Sequence, residues 1–423
     1  MRESQGAAGK GVLGMLTGTA SRRGGEATAA PPARPKPRAG RTGVPGLWRL
    51  VLLEVAVALV LVGAVAGRTA PGLLGLTSAV AVAAVLVAAA TVHHRGLPLP
   101  ERSVAVLAMR RRQRQAATDP VGLLGLALAP LGACAPALRT YAFAGRSGRR
   151  VGMVGDGTFL TAVLVVRADD ALLRAARPLP LGPLLDALEV EDVRLASVQV
   201  VRQVRAVPAP RPAPRAPSPD AGLPHHGIRA TRVTWVALKL DPHLCPAAVL
   251  ARGGGVGGAQ RAVLRAADHL ASRLVGEGFD TAVLDEEELI AALAASACLG
   301  AAEAAPSGTG SRRGTEQSRA WHCDGRRHTT YALGNAPAAT RAVTALTSVP
   351  ATACTFALAL ARGPGGARTV CGFLRLTTDT DAELMAACDA LESTADRHGV
   401  EPARLDHEQV PGLLATMPLG GTR

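Results

Sequence analysis

Aromatic side chains make up only 2% of this 423-residue chain, and lysine is nearly absent, with Lys10, Lys36 and Lys239 the only three. So few rings argue against a surface that stacks on single-stranded bases, even though the net charge is +14 and the pI near 10.7. None of the three lysines sits in a Gly-x-x-x-x-Gly-Lys-Ser/Thr frame, so the chain has no phosphate-cradling loop of its own. If it takes part in work driven by ATP, a partner hydrolyses the nucleotide. There is no Gly-x-Ser-x-Gly elbow and no cysteine in an obvious nucleophile context. The seven cysteines form no Cys-x-x-Cys pair. Odd in number and scattered beyond residue 133, they fit a reducing compartment, where most act as small buried apolar side chains.

Long apolar runs occur twice, almost back to back, at Trp48 to Gly67 and Leu73 to Val92. At 1.5 Å of rise per helical residue, roughly 20 residues cover the ~30 Å hydrocarbon layer, so each run is long enough to span it. The residues between them, Arg68 to Gly72, make only a tight turn. Basic residues crowd the chain before Trp48, and Arg110, Arg111, Arg112 and Arg114 follow the second run, whereas the turn holds Arg68 alone. That asymmetry predicts a two-span anchor in the cell membrane with both termini cytoplasmic. The basic flanks then face anionic lipids of the inner leaflet, at about 1 kcal/mol per residue. Reading the first run as a cleaved signal, with Ala64-Val65-Ala66 imitating the cleavage site, leaves the second run unexplained.

Glu54 lies inside the first run, about 9 Å of helical rise from Trp48. A carboxylate there either meets a polar group of a partner span or snorkels to the nearby interface. Trp48, Glu54, Arg68, Arg110, Arg111, Arg112 and Arg114 are therefore the candidate membrane and assembly residues.

The organisation expected is a disordered basic tail over 1–46, the hairpin over 47–93, a basic juxtamembrane segment over 94–118 and a cytosolic α+β part over 119–423, built as one domain or two subdomains. Pro98 and Pro100 break the second helix, and Ser103 to Gln115 returns to a helix-compatible basic stretch. A β-hairpin turns at Gly155-Asp156-Gly157 between Val151–Val154 and Phe159–Val166. Further strands are expected at Leu195–Val204, Val233–Leu240, Thr281–Leu284, Thr329–Leu333, Thr355–Leu360 and Thr369–Thr377, with Leu405–His407 a last short one. Helices are expected at Leu181–Leu188, Gln260–Val275, Glu286–Ala297 and Asp381–His398. Flexible insertions fall at 207–227 and 299–319. No strict repeat is visible.

Two motifs invite chemistry. Gly253-Gly254-Gly255-Val256-Gly257-Gly258 matches Gly-x-Gly-x-x-Gly before a helix, but about a dozen residues with two prolines separate it from the preceding strand, so it reads as a flexible helix-leading loop. Trp321 to His328 gathers His322, Cys323 and His328, yet lacks a paired ligand spacing even if His243 and Cys245 are added, and reads as a polar, arginine-rich surface. Glu286, Glu287 and Glu288 fan around a helix start and compensate its dipole. No catalytic, cofactor-binding or metal-ligating residue is assigned.

The order of Ala137-Leu-Arg-Thr-Tyr-Ala-Phe143, Arg150-Val-Gly-Met-Val-Gly-Asp-Gly-Thr-Phe-Leu160, Thr234-Trp-Val-Ala-Leu-Lys-Leu-Asp-Pro242, Arg327-His-Thr-Thr-Tyr331 and Gln409 to Gly421 after a basic tail and two spans resembles EccE, a membrane component of actinobacterial type VII (ESX-like) secretion systems, in its streptomycete form. The resemblance implies a non-enzymatic subunit that assembles with EccB, the EccC ATPase and EccD to export WXG100-type proteins. It brings no catalytic residues. Where the family has an aromatic-rich segment after the Tyr331 strand, this chain has Gly334 to Ala339.

Overall fold

Among the described residues, ten strands follow one another edge to edge across a single antiparallel sheet, and two more pair along its flanks. The structure, a computed structural model, describes residues 47–66, 77–84, 87, 93–94, 97–115, 124, 126–145, 148–167, 178–206, 230–299, 314–334, 340–363 and 367–421. The expected tail, the turn at Arg68 and the insertion at 207–227 lie outside them. In chain order the strands are β1 (Arg139–Ala144), β2 (Arg150–Gly155), β3 (Leu160–Arg167), β4 (Ser197–Ala206), β5 (Ala230–Leu240), β6 (Asp280–Val283), β7 (Gly314–Glu316), β8 (Trp321–Cys323), β9 (Arg326–Leu333), β10 (Ala353–Arg362), β11 (Arg368–Thr378) and β12 (Pro402–Arg404). Their spatial order is β7-β8-β9-β11-β10-β4-β5-β3-β2-β1, with β6 beside β3 and β12 beside β9. The α+β expectation is borne out in this large antiparallel sheet.

Helix α1 runs over Leu47–Ala66, 20 residues, with side chains described from Leu53 to Val65. Leu53, Val55, Leu61 and Val62 are exposed around its circumference, while the small Ala56 and Gly63 are buried, as is Ala83 in the helical residues 77–84. Among the described residues no helix is long and apolar enough to cross a membrane, so the two-span anchor rests on the sequence. A two-residue ribbon, His93–His94 with Leu97–Pro98, precedes helix α2 (Leu99–Gln115). That helix starts earlier than Ser103 because Pro100 sits in its first turn, where the missing N–H has no partner to lose.

The remaining main helices are α3 (Gly255–Gly276), α4 (Glu286–Ser296), α5 (Thr340–Thr347), α6 (Asp381–Arg397) and α7 (Gln409–Ala415). α3 and the short helix Leu181–Asp186 pack on one face of the sheet, through Val263, Ala267, Leu270 and Leu274 against Leu164, Val236 and Leu238. α5 and α6 pack further along the same face, through Leu346, Leu384 and Leu391 against Leu374 and Leu376. α4, α7 and the residues after α7 cover the opposite face, where Leu289, Leu293, Val410, Leu413, Met417 and Leu419 are buried. Capping boxes start α4 and α6: Asp285 accepts from the Glu288 N–H, Thr380 from the Glu383 N–H, and each glutamate reaches back.

The connections repeat. β3, the helix at Leu181–Asp186, β4, β5, α3 and β6 form one split βαβ unit in the order β6-β3-β5-β4, and β9, α5, β10, β11, α6 and β12 form a second in the order β12-β9-β11-β10. β4 and β10 are each 10 residues long, β5 and β11 each 11, and β3 and β9 each 8. The units join where β4 pairs with β10, with Val201 opposite Ala357 near the middle. In the sequence the repeat shows only as a loose recurrence of strand, helix, strand, because residues 207–229 separate β4 from β5, whereas only residues 363–367 separate β10 from β11.

At this seam a polar cluster is buried under the C-terminal end of α4. Arg375 and Gln203 donate to the Ser296 carbonyl and Arg205 to that of Ala295. Arg375 is fully buried, and burial pulls its pKa down to about 10. No carboxylate faces it among these contacts; the negative end of the helix dipole takes that place.

Several local expectations change. The last strand is Pro402–Arg404 rather than Leu405–His407, because His407 adopts a left-handed φ of 66° in a turn. Strands β7 and β8 and helix α5 fall where none was expected, and β7 lies within 299–319. Trp321 to His328 is not a polar surface: Trp321 and His328 are buried with ring centroids 5.0 Å apart, and His328 Nδ1 lies 3.0 Å from Thr377 Oγ1. Burial, with Arg375 nearby, holds the His328 pKa well below its ordinary value, so the ring is neutral.

The Gly155-Asp156-Gly157 hairpin forms as expected, with Gly155 opposite Leu160. Asp156 Oδ1 accepts from Thr158 N (2.8 Å), Thr158 Oγ1 (2.7 Å) and Phe159 N (3.3 Å). Burial alone would raise its pKa, but these hydrogen bonds hold it below the ordinary 3.8. Its contribution to stability is therefore present above the ordinary carboxylate range and lost as pH falls through the lowered value. Asp156→Asn is expected to cost about 1 kcal/mol at neutral pH and less in acid; urea denaturation across pH 2.5 to 7 checks this, and a pH-independent difference would contradict it.

Candidate assembly site

The basic end of α2 docks on the far edge of the sheet. Arg112 donates through Nε to Glu316 Oε2 (3.0 Å) and through Nη2 to Glu316 Oε1 (2.9 Å), and the same Nη2 reaches the His407 carbonyl (2.8 Å). The next residue, Gln113, donates to the Glu316 carbonyl (2.8 Å). Glu316 ends β7, and its side chain is only 3% exposed against 26% for Arg112. Glu316 Oε1 also accepts from the N–H of Val410 in the first turn of α7 (3.0 Å), where the helix dipole favours a negative charge. One buried carboxylate thus ties together α2, β7 and α7. Beside this clasp a cavity of about 80 Å³ is lined by Cys134, Pro136, Trp321 and Val410 among others. Burial, and next the Glu316 charge, push the Cys134 thiol up to about 12, so it is neither a nucleophile nor a metal ligand as it stands.

Three of the segments that carry the resemblance converge at the opposite end of α7. After the helix, the chain runs to Gly421 along the β3, β5 and β4 ends. Thr161 Oγ1 donates to the Leu419 carbonyl (3.1 Å), Ser197 Oγ to that of Gly420, and Lys239 Nζ to that of Gly421 (3.3 Å). Gln199 donates to the Ala415 carbonyl (2.7 Å) and accepts from the Gly420 N–H (2.8 Å). Lys239 is 7% exposed and its Nζ lies 4.0 Å from the Phe159 ring centroid. Gly420 has φ 90°, and a Cβ there would come within 2.4 Å of the Lys239 Cβ.

Of the residues singled out for charge or depth, Arg112 is half-buried in the clasp, whereas Arg110, Arg111 and Arg114 on the same helix are exposed. Glu54 is exposed on α1, Trp48 lies near the start of that helix, and Arg68 is outside the described residues. Sequence reasoning missed Glu316, Gln199 and Gly420. The signal available for Glu316 was a lone acid in a Gly- and Ser-rich stretch, with nothing to link it to Arg112. Around the glycine run, α3 begins at Gly255 after two short helical turns, and Arg261 donates to the Arg252 carbonyl (2.7 Å) with its guanidinium against Gly253. Among the described residues no three His, Cys, Asp or Glu side chains gather where a metal could be held.

Residues 228–333 match the family model described as "Putative type VII ESX secretion system translocon, EccE". The matched stretch runs from β5 to β9 and includes Lys239, the glycine run, α4 and Glu316. It bears out the EccE resemblance. No curated protein matches the chain.

Proposed function

We propose, from the EccE match over residues 228–333, that this chain is a non-enzymatic structural membrane subunit of a type VII protein secretion complex. It assembles with EccB, EccD and the EccC motor ATPase and serves the export of WXG100-type proteins. The missing phosphate loop supports that division of labour, since the chain lacks the lysine such a loop requires. The observation that carries the reading is the family match; the two apolar runs and the exposed apolar circumference of α1 support a membrane-anchored hairpin over 47–93 with both termini cytoplasmic. Residues 94–118 then lie at the inner leaflet. Arg110, Arg111 and Arg114 face its anionic lipids, while Arg112 is held by Glu316.

Affinity purification of the tagged chain from mild detergent extracts tests this, together with export in a strain that lacks it. Recovery of the secretion ATPase and loss of WXG100 export are expected. A chain that never brings down the ATPase, and whose deletion leaves export intact, is not such a subunit. Glu54→Leu is expected to lower the yield of the complex by about fivefold if the carboxylate meets a partner span, since a polar contact in hydrocarbon contributes about 1 kcal/mol. Unchanged yield would make Glu54 an interfacial residue of a plain anchor.

A further inference from the structure

Helix α2 presents two faces, and only one of them meets the sheet. At 3.6 residues per turn, Ser103, Val104, Leu107, Arg110, Arg111 and Arg114 fall within one arc of about 120°, and all six are exposed. Ala105, Met109, Arg112 and Gln113 fall on the other side, where Ala105 is buried and Arg112 and Gln113 make the clasp with Glu316. On the outer arc Leu107 is 64% exposed and Val104 43%. Leu107 lies near the middle of that arc, with Arg110 and Arg111 to either side of it. No aspartate or glutamate occurs from 102 to 118. Two acids flank His407, whose carbonyl Arg112 reaches: Asp406 is bound to Arg404 (2.7 Å), and Glu408 is half-buried at the start of α7. Arginines beside an exposed leucine bury their stems along it while their charges reach headgroup phosphates.

What covers this arc is set by where the helix begins. The second apolar run ends at Val92. His93, the next residue, pairs with Pro98 across the two-residue ribbon, about 5 Å away, and α2 starts at Leu99. The helix therefore begins beside the end of the run rather than at the far end of a tether. We propose that the outer arc of α2 lies in anionic lipid of the inner leaflet, with Val104 and Leu107 among the acyl chains, and that the sheet stands edge-on to the membrane, β7 toward the bilayer and β1 away from it. The arginines of the arc supply the charge and the two apolar residues the insertion. Glu316 acts as a positioning residue: it holds the inner side of α2 against β7, so the seat and the sheet keep one orientation. Nine inter-strand spacings of about 4.8 Å then carry β1 about 40 Å from the β7 edge along the sheet. This inference rests on the hairpin anchor of the proposed function.

A photo-crosslinking residue in place of Leu107, in the full-length chain in cell membranes, is expected to attach to phospholipid, and one in place of the exposed Ala142 on β1 is expected not to. Arg110→Glu with Arg111→Glu, both at exposed positions, is expected to lower lipid attachment at 107 about tenfold or more, since each basic residue near the surface contributes about fivefold. The purified chain in nanodiscs gives the matching comparison: zwitterionic lipid alone should show a similar drop against lipid that contains phosphatidylglycerol. Attachment at 107 to another protein, attachment to lipid at 142 as strong as at 107, or a charge-reversed pair that labels lipid like wild type would each overturn the proposal. Alkaline carbonate that strips the wild-type chain from membranes would sink the hairpin anchor and this inference together. A chain that resists carbonate while residue 107 takes up no lipid sinks this inference alone.

Discussion

Gly420→Ala is expected to destabilise the folded chain by about 3 kcal/mol or more. An alanine at φ 90° carries a backbone penalty of about 1 to 2 kcal/mol, and overpacking a closed site adds a comparable amount. The obstructing atoms are Lys239 Cβ, Cγ and Cδ, which cannot retreat without moving the ammonium away from the Gly421 carbonyl and the Phe159 ring. If the tail lifts instead, the chain loses the burial of Met417 and Leu419 and leaves Gln199 Oε1 and Ser197 Oγ without these partners beneath the sheet. Gly157→Ala is the control. It has a similar φ of 93° but nothing within 4 Å of the added carbon, so only the backbone penalty of about 1 kcal/mol should appear. Urea denaturation of the two variants in the same detergent makes the comparison. Equal losses would mean that the slot around Gly420 is not tight.

Removing the carboxylate of Glu316 should follow closely, at about 3 kcal/mol for Glu316→Ala. The Val410 N–H would be left buried without an acceptor, and Arg112 would keep only the His407 carbonyl. The cost stays at the lower end of the range for broken buried pairs because Arg112 is about a quarter exposed and water can solvate it. The local signature matters more than the total. Hydrogen exchange along 103–115 should accelerate strongly in Glu316→Ala and in Arg112→Ala, with the double variant little worse than either single one. If α2 stays protected in both single variants, the clasp is not what holds it.

Legibility of the fold tracked burial on both faces. The long strands β3, β4, β5, β10 and β11 were readable because each contains a long buried run rich in Val, Leu, Ala and Thr, and α3, α4 and α6 because apolar residues recur at helical spacing beside caps. β7 and β8 were not readable. Glu316, His322 and Cys323 look like surface chemistry, and only distant elements, α2 more than two hundred residues earlier and α7 about a hundred later, make their edge an interior. α5 is eight residues long, with Ala342, Val343 and Leu346 as its only apolar stripe, too short to stand out from a loop.

The candidate site divided along similar lines. Arg112 was singled out for its charge, yet its partner lay in a stretch of low complexity, and charge alone did not distinguish it from Arg110, Arg111 and Arg114. The tail from Met417 to Gly421 reads as coil in isolation. It is fixed by Gln199 and Lys239 on strands that sequence could place but not bring beneath it.

The seam between β4 and β10 bears on how this molecule can move. Nine residue pairs lie across it, in register with the pairings on either side, and Arg375, Gln203 and Arg205 pin α4 over it. Two lobes joined by a linker can open like a clamshell, but two lobes sharing a sheet behave as a beam. A tug on α2 at one end of the beam cannot be absorbed by a hinge in the middle. It reaches the β1 end as a rigid displacement.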